Sequence, residues 1–404
     1  MTSVENIAPK KDLLFFACCL SLVVTAMTFA IRAGILGELA DSFSFTKTEL
    51  GWINSMAFFG FPVAMMVGGL LYNQVGPKLL MYVAFVGHLL GLVLTIIADG
   101  FWGLLISTFC IGFANGAVEA GCNPLIADMY HNNKTTMLNR FHVWFPGGIV
   151  IGALISAAMT SFSLGWQMQI AVMLLPTLAY GYIVFSQDFP AMVNSETSTS
   201  INIRSLASPL FIFMLVCMAF TATTELGTQQ WVSVMLAESG AHPMLILAMV
   251  TGLMAVGRYF AGPVVHALNP AGVLLASAVV AALGIFMLSQ VSGAMVYVAA
   301  LLFSVGVMYF WPTMIGFVSE YQAKTGALGL SLVGAAGMLF VGAMNPVIGG
   351  WIDAAKEQAI VSGLADDAAE VAAGQATLEQ LVVFPLVLIV LFSILYVWRK
   401  KVRV

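Results

Sequence analysis

The sequence predicts an all-α protein that crosses a lipid bilayer about twelve times. Hydrophobic residues make up 60% of the 404 residues and charged residues only 8%, whereas a soluble domain carries about a quarter charged residues. The apolar residues form separated runs of about 20 residues, which is the length of an α-helix that crosses the hydrocarbon core. The runs are long and continuous, so they indicate helices and not the short alternating strands of a membrane barrel.

Twelve apolar windows can be delimited along the chain. The predicted spans are residues 13–39, 49–72, 79–98, 102–128, 138–162, 167–186, 209–236, 243–266, 270–290, 294–319, 326–351 and 380–398. A polar segment between the sixth and seventh spans predicts a flexible linker. We therefore expect an N-terminal six-helix bundle (1–186), a cytoplasmic linker (187–208) and a C-terminal six-helix bundle (209–404).

Two loop segments indicate that the two bundles are related by an internal repeat. Gly69 begins a segment that ends in Pro77 after the second span, and Gly262 begins a similar one that ends in Pro270 after the eighth. In both segments a polar residue stands four positions after the glycine, and a proline closes a tight turn. Two pseudo-symmetric six-helix halves are typical of transporters that rock around a site at their interface.

The distribution of Lys and Arg predicts the orientation in the membrane. With the N-terminus inside, the cytoplasmic segments hold twelve of these residues and the external segments only Lys47 and Lys356. This bias follows the positive-inside rule and predicts that both termini are cytoplasmic. The acidic stretch 353–379 is then external, between the last two spans, and the compact loops favour a bacterial inner membrane.

The loop after the second span resembles the G-x-L-x-D-R-x-G-R-K motif of the major facilitator superfamily. The matching residues are Gly69, Leu71, Gly76 and Lys78. Asn73 and Gln74 replace the Asp and Arg of the motif, and Pro77 replaces an Arg. The resemblance implies the twelve-helix major facilitator fold, with Asn73 and Lys78 at the cytoplasmic gate and an altered charge latch.

Spans four and five resemble a narrower family, the fucose–galactose–glucose proton symporters. Residues 119–124 (EAGCNP) resemble its E-x-x-x-N-P motif, and residues 138–142 (LNRFH) resemble its L-N-x-x-H/Q segment. The resemblance implies transport of a hexose, a deoxyhexose or a related polyol with a proton. The first span differs, because Arg32 stands where proton-driven members carry an acidic residue.

Ionisable residues inside the apolar runs mark candidate sites, because a charge in the hydrocarbon costs several kcal/mol unless it is paired or hydrated. These residues are Arg32, Glu119, His142, Glu225 and Arg258. Small apolar neighbours favour the neutral form of Glu119, so we interpret it as the proton carrier. The alternatives are an acceptor for sugar hydroxyls or a helix bridge to His142 or Asn139. Arg258 is expected to tie loops together at the inner gate.

Arg32 and Glu225 are separated by the same number of residues as Gly69 and Gly262, which begin the two loop segments. Arg32 and Glu225 therefore occupy equivalent positions in spans one and seven. We predict that they face each other across a cavity, pair when the outside is closed, and act as a switch. The alternatives are a permanent structural pair, or an Arg32 side chain that reaches external water beside Glu38 and Asp41.

Sugar sites combine aromatic faces with amides and carboxylates that bind hydroxyl groups. The predicted substrate-binding residues are Arg32, Asn123, His142, Glu225, Gln229, Trp231, Tyr309 and Trp311, and the predicted gating residues are Arg32, Glu225, Asn73, Lys78 and Arg258. As alternatives, His142 is a hydrogen-bonding core residue and the aromatic residues form an interfacial belt. Asn123-Pro124 and Asn345-Pro346 are expected to bend spans four and eleven.

The sequence favours a secondary active transporter over other classes of protein. It contains no P-loop and no hydrolase motif, so we expect neither an ATP-driven pump nor an enzyme. We expect a monomer in the lipid bilayer that moves a sugar with a proton and needs no cofactor, metal or nucleic acid. The alternatives are an organic-anion or multidrug transporter, which Arg32 and the 24 methionines favour, a proton-independent facilitator, and a sugar sensor.

Overall fold

The structure of the protein, a computed structural model, describes residues 10–45, 47–190, 199–229 and 243–398. The regular elements of this part of the chain are all helices. They are α1 (Lys11–Phe43), α2 (Lys47–Ile96), α3 (Phe101–Met129), α4 (Lys134–His142), α5 (Trp144–Ser161), α6 (Trp166–Val172), α7 (Leu174–Ser186), α8 (Thr199–Ser205), α9 (Pro209–Ala222), a π-helix (Thr223–Gly227), α10 (Pro243–Tyr259), α11 (Ala261–Gln290), α12 (Met295–Val307), α13 (Phe310–Tyr321), a 3₁₀-helix (Ala323–Thr325), α14 (Gly326–Val361), α15 (Asp366–Leu381) and α16 (Val383–Trp398).

Within the described ranges, ten helical segments are long and apolar enough to cross a membrane. One of these segments, in α2, covers two predicted spans. The chain reverses its direction at Gly76, since the side chain of Leu80, which follows Gly76, lies against Gly68, which precedes it. The prediction of an all-α protein with many membrane-spanning helices is confirmed. The count of twelve spans stays a prediction, since residues 230–242 lie outside the described ranges.

Two interruptions of helical geometry stand at the positions of the sequence repeat. Gly76 in α2 has φ 74° and ψ 169°, and Asn269 in α11 has φ 56° and ψ 165°. Glycine and asparagine are the residues that adopt a positive φ at low cost. A proline follows each of them and starts the next helical stretch with its fixed φ. The backbone therefore supports an internal repeat, whereas the bundle boundaries stay predictions.

Five other breaks interrupt helices of the described part of the chain at sites that were not predicted. They lie at Val143, Met173, Phe260, Tyr309 and Val382. Each break is three residues before a proline, whose missing N–H leaves the carbonyl four residues earlier without its helical donor. In contrast, α3 runs through Pro124 and α14 through Pro346 without interruption. The helices are therefore not broken at the two prolines where bends were predicted.

Two polar segments that lie outside the predicted spans contain helices. Residues 199–205 of the predicted flexible linker form α8, while residues 191–198 lie outside the described part. The acidic stretch is taken up by the end of α14 and by α15. Lys356 joins these two helices, because its Nζ lies 3.1 Å from Asp366 and 2.8 Å from Glu370.

A chain of hydrogen bonds joins four helices in the N-terminal part of the protein. His88 Nε2 lies 2.8 Å from Asn115 Oδ1, and His88 Nδ1 lies 2.9 Å from the Tyr180 hydroxyl. Asn115 Nδ2 donates to Thr28 Oγ1 at 3.1 Å. Since Oδ1 can only accept, His88 Nε2 donates and Nδ1 accepts from Tyr180. All four side chains are buried, so this network ties α1, α2, α3 and α7 together.

Replacing His88 with alanine should reduce the free energy of unfolding by about 1–3 kcal/mol, because Asn115 and Tyr180 lose a buried partner. The measurement is denaturant or thermal unfolding of the purified protein in detergent. The exposed His266 supplies the matched control, and His266→Ala should leave the midpoint unchanged. Equal midpoints for the two variants would contradict a stabilising network.

Candidate functional site

A narrow cavity of about 20 Å³ lies among helices from both parts of the chain. The lining residues are Phe61, Glu119, His142, Phe145, Glu225, Leu226, Arg258, Trp311 and Met338. The four ionisable residues of this set are between 1% and 3% exposed. The structure thus brings together four of the five ionisable residues that the sequence placed inside the membrane.

Arg258, near the end of α10, is held by three acceptors. Its Nη2 donates to Glu225 Oε1 at 2.8 Å, its Nη1 to the His142 carbonyl at 3.1 Å, and its Nε to the Met308 carbonyl at 2.5 Å. The side chain is 1% exposed, so these bonds replace its hydration. Arg258 therefore lines the cavity between three elements, instead of tying loops together at the gate as predicted.

Two prolines explain why these carbonyls are available to Arg258. Pro146 and Pro312 lie four residues after His142 and Met308. A proline lacks the N–H that would otherwise occupy the carbonyl four residues earlier in a helix. Each helix break therefore leaves an acceptor in the membrane interior, where an unsatisfied polar group is costly. The guanidinium of Arg258 satisfies both acceptors.

A π-helical turn holds Glu225 beside Arg258. The turn covers Thr223–Gly227 at the end of α9, and π-helical turns are frequent at functional sites. Among the described residues Glu225 forms an ion pair with Arg258 and not with Arg32. The predicted Arg32–Glu225 pair is therefore not present in this structure. Equivalent positions in a repeat fix the depth of two residues, but they do not determine which side chains meet.

Glu119 ends a hydrogen-bond chain that starts at His142. His142 Nε2 lies 3.1 Å from Asn123 Oδ1, and Asn123 Nδ2 donates to Glu119 Oε2 at 2.5 Å. Glu119 and Asn123 are four residues apart in α3, which places them on one helix face. The direct distance from His142 Nε2 to Glu119 Oε2 is 3.8 Å. A bridge to His142, one of the alternatives from the sequence, is thus present, while Asn139 donates to the Thr135 carbonyl at 2.9 Å.

The other predicted substrate residues have different surroundings. Trp311 lines the cavity, the Tyr309 hydroxyl donates to a backbone carbonyl of α10 at 3.0 Å, and Gln229 Nε2 lies 3.1 Å from a methionine sulfur of α10. Trp231 lies outside the described residues. Arg32 does not line the cavity. Its side chain is only 6% exposed, so it does not reach external water, which was one of the alternatives from the sequence.

The predicted gating residues Asn73 and Lys78 lie in a separate cluster of contacts. Asn73 donates to the side chain of Asn202 in α8, and Asn202 Nδ2 donates to the Lys324 carbonyl at 2.8 Å. Lys78 Nζ lies 3.0 Å from the Gln187 carbonyl. An uncharged amide contact therefore stands where the resembled motif would place its Asp.

A further contact joins distant parts of the chain at the start of α4. Glu320 Oε1 accepts from the Thr135 amide at 3.1 Å and from the Thr135 hydroxyl at 2.6 Å. Lys134 Nζ donates to the Ser319 carbonyl at 3.2 Å. A carboxylate at the first turn of a helix satisfies a free N–H and complements the helix dipole. The ends of α4 and α13 are thereby fastened to each other.

A bundle of membrane-spanning helices with a buried cavity that contains a few ionisable side chains is the architecture of a solute transporter. Residues 18–343 match the Major Facilitator Superfamily. The chain belongs to this superfamily, whose members are transporters and not enzymes.

Comparisons with individual proteins show distant similarity. A facilitated glucose transporter of Xenopus tropicalis (solute carrier family 2, member 10) is 25% identical over 158 residues, which are 38% of this chain and only 28% of that protein. The 3-(3-hydroxy-phenyl)propionate transporter of Escherichia coli is 24% identical over 248 residues, which are 59% of this chain and 61% of that protein. The structure of the E. coli fucose:proton symporter superposes with a TM-score of 0.72 at 15% identity, over 93% of this chain and 98% of that one. At this identity the superposition shows the fold.

Removing one member of the Arg258–Glu225 pair should destabilise the protein strongly, by about 3–5 kcal/mol, because the other charge stays buried. The double variant Arg258→Met/Glu225→Met should lose less than the sum of the two single variants. The unfolding midpoints of the wild type, the two single variants and the double variant, measured in detergent, form the double-mutant cycle that tests this. The exposed contact of Lys356 supplies a control, and Lys356→Met should shift the midpoint little. Additive losses would contradict a direct pair.

Proposed function

We propose that the protein is a secondary active transporter that moves a hexose or a related sugar by alternating access together with a proton. The enclosed cavity that contains Glu119 beside Arg258 carries this proposal. The similarity to a facilitated glucose transporter and to a fucose:proton symporter supports it. We place the protein as a monomer in a bacterial inner membrane with both termini in the cytoplasm. The moving bodies are residues 1–186 and 209–404, joined by the linker 187–208.

The cavity combines the two kinds of surface that a sugar needs. Trp311 and Phe145 offer aromatic faces for the C–H side of a sugar ring. Glu119 and His142 offer polar atoms for its hydroxyl groups. A largely apolar pocket with a few polar groups that fix orientation is the usual form of a small-molecule site.

We assign the proton to Glu119. The cavity contains two carboxylates, and Glu225 is neutralised by its ion pair with Arg258 at 2.8 Å. Among the described residues, Glu119 accepts a hydrogen bond from Asn123, and the nearest ring nitrogen of His142 lies 3.8 Å from its carboxylate. A carboxyl in such dry surroundings can carry a proton across the membrane as a neutral group.

Arg258 supplies a route by which movement could affect the proton on Glu119. Its bonds to Glu225 and to the Met308 carbonyl remain within the C-terminal part, whereas its bond to the His142 carbonyl crosses to the N-terminal part. Arg258 also interacts electrostatically with Glu119. Rocking that separates α10 from α4 therefore breaks one hydrogen bond and changes the field at Glu119, which links proton binding to the open side.

Glu119→Gln should abolish accumulation of labelled L-fucose, D-galactose or D-glucose in proteoliposomes with an acidic outside, because the amide cannot carry a proton. Exchange of the same sugar across the membrane without a gradient should persist. Glu379→Gln, which changes an exposed carboxylate of α15, is the matched control and should keep both activities. Accumulation at the wild-type level by Glu119→Gln would overturn the proton role.

A further inference from the structure

Arg32 is a buried cation for which the described part of the chain supplies no counter-ion. It lies in α1 and is 6% exposed. In the part of the chain that the structure describes, its Nε and Nη1 have no hydrogen-bond partner. Arg258 is comparably buried but has three acceptors. An unpaired guanidinium in the membrane interior is costly, so its retention indicates a missing anion.

A second unpartnered polar group lies on the same face of α1. The Thr25 hydroxyl is buried and, among the described residues, has no hydrogen-bond partner. Residues 25, 29 and 32 are spaced as one helical stripe, with Phe29 between the two polar side chains. Along the helix the stripe measures about 10 Å. It therefore presents a hydroxyl, an aromatic ring and a guanidinium, the three groups that would bind a polyol with a negative charge at one end.

Phe29 connects this stripe to the cavity. The guanidinium carbon of Arg32 lies 5.6 Å from the centre of the Phe29 ring. That ring lies 6.0 Å, centre to centre, from the ring of Phe145, which lines the cavity. A solute that extends from the cavity past Phe145 thus meets Phe29 next and Arg32 beyond it.

The balance of charges at the site also indicates a negatively charged solute. Arg258 and Glu225 neutralise each other. If Glu119 carries the transported proton, it is neutral, and the positive charge of Arg32 remains. One negative charge on the solute would complete the balance. A loaded carrier without net charge is the form that crosses an apolar barrier at the lowest cost.

We propose that Arg32 binds a carboxylate of the transported solute, so that the substrate is a sugar acid carrying one negative charge and not a neutral sugar. Arg binds carboxylates through paired, charge-assisted hydrogen bonds, and its Nε and Nη1 are available for them. Thr25 and Phe29 hold the polyol part. The inference rests on the proposed function and narrows its substrate class. It also predicts that one proton and one monoanion move together without net charge.

The first experiment measures binding to the purified protein by thermal shift and calorimetry. The probes are D-gluconate and D-glucuronate, their neutral counterparts D-glucose and L-fucose, and acetate as an anion without hydroxyl groups. We expect the sugar acids to bind best, and Arg32→Gln to weaken them at least about tenfold. Arg32→Lys keeps the charge but loses the paired geometry, so it should retain part of the affinity. Arg140→Gln changes an exposed arginine and should bind like the wild type.

The stability of the protein without ligand distinguishes a binding role of Arg32 from a structural role. Replacing an unpaired buried charge by an apolar side chain should raise the unfolding temperature of the empty protein. We therefore expect Arg32→Met to be at least as stable as the wild type while losing the shift produced by sugar acids. A large loss of stability in Arg32→Met, with the shift by sugar acids kept, would overturn the proposal.

The second experiment measures uptake in proteoliposomes with the membrane potential set by valinomycin and potassium. Uptake of D-gluconate or D-glucuronate should follow the pH gradient and stay unchanged when the potential is reversed. Transport of neutral sugars alone, without competition by the acids, would overturn this inference and leave the proposed function standing. Equal binding of acetate and of the sugar acids would also overturn it. If none of the sugars or acids binds or moves, both proposals fail.

Discussion

The site depends on one buried cation, Arg258, and on the acceptors that satisfy it. A guanidinium that is 1% exposed has lost its hydration and needs acceptors from the protein. Glu225 provides one, and helix breaks caused by Pro146 and Pro312 provide two backbone carbonyls. The two breaks would themselves be unfavourable in the membrane without a donor. The cation and the breaks therefore stabilise each other, and together they set the relative positions of α4, α9, α10 and α13.

The two arginines of the membrane interior have opposite surroundings, although both are buried. Arg258 is neutralised inside the protein, whereas Arg32 lies beside the Phe29 ring and, among the described residues, two of its nitrogens have no hydrogen-bond partner. A fully satisfied charge holds a structure in place, and an unsatisfied one lowers the stability of the empty state. If a solute neutralises Arg32 as we propose, the free energy released is available to shift the conformational equilibrium, in proportion to the difference in affinity between the two states. A cost in the empty protein would then become a driving force in the loaded one.

The sequence was sufficient for the fold class, because hydropathy and the positions of glycine and proline report on it. The repeated loop segments located the reversals at Gly76 and Asn269. Partners were harder to predict, since the sequence offset placed Arg32 and Glu225 at equivalent depths but gave no rotation about the helix axes. Glu225 instead meets Arg258 from a neighbouring helix. The carbonyls of His142 and Met308 were also missed, although Pro146 and Pro312 were visible signals for them.

The contact of Asn73, at the proposed gate, differs in kind from the contacts at the cavity, and this difference bears on the proposed alternating access. Asn73 and Asn202 meet through uncharged amides, and net hydrogen bonds between neutral groups contribute only about 0.5–1.5 kcal/mol each. When such a contact opens to water, its groups are rehydrated at little cost. The bond between Arg258 and the His142 carbonyl involves a charge in dry surroundings, so breaking it without replacement is costly. In the proposed cycle the amide contact of Asn73 would therefore open readily, while the charged contact at the cavity would resist movement until a bound solute or proton changes the local electrostatics. Of these two contacts, the one at the cavity would then control the rocking motion.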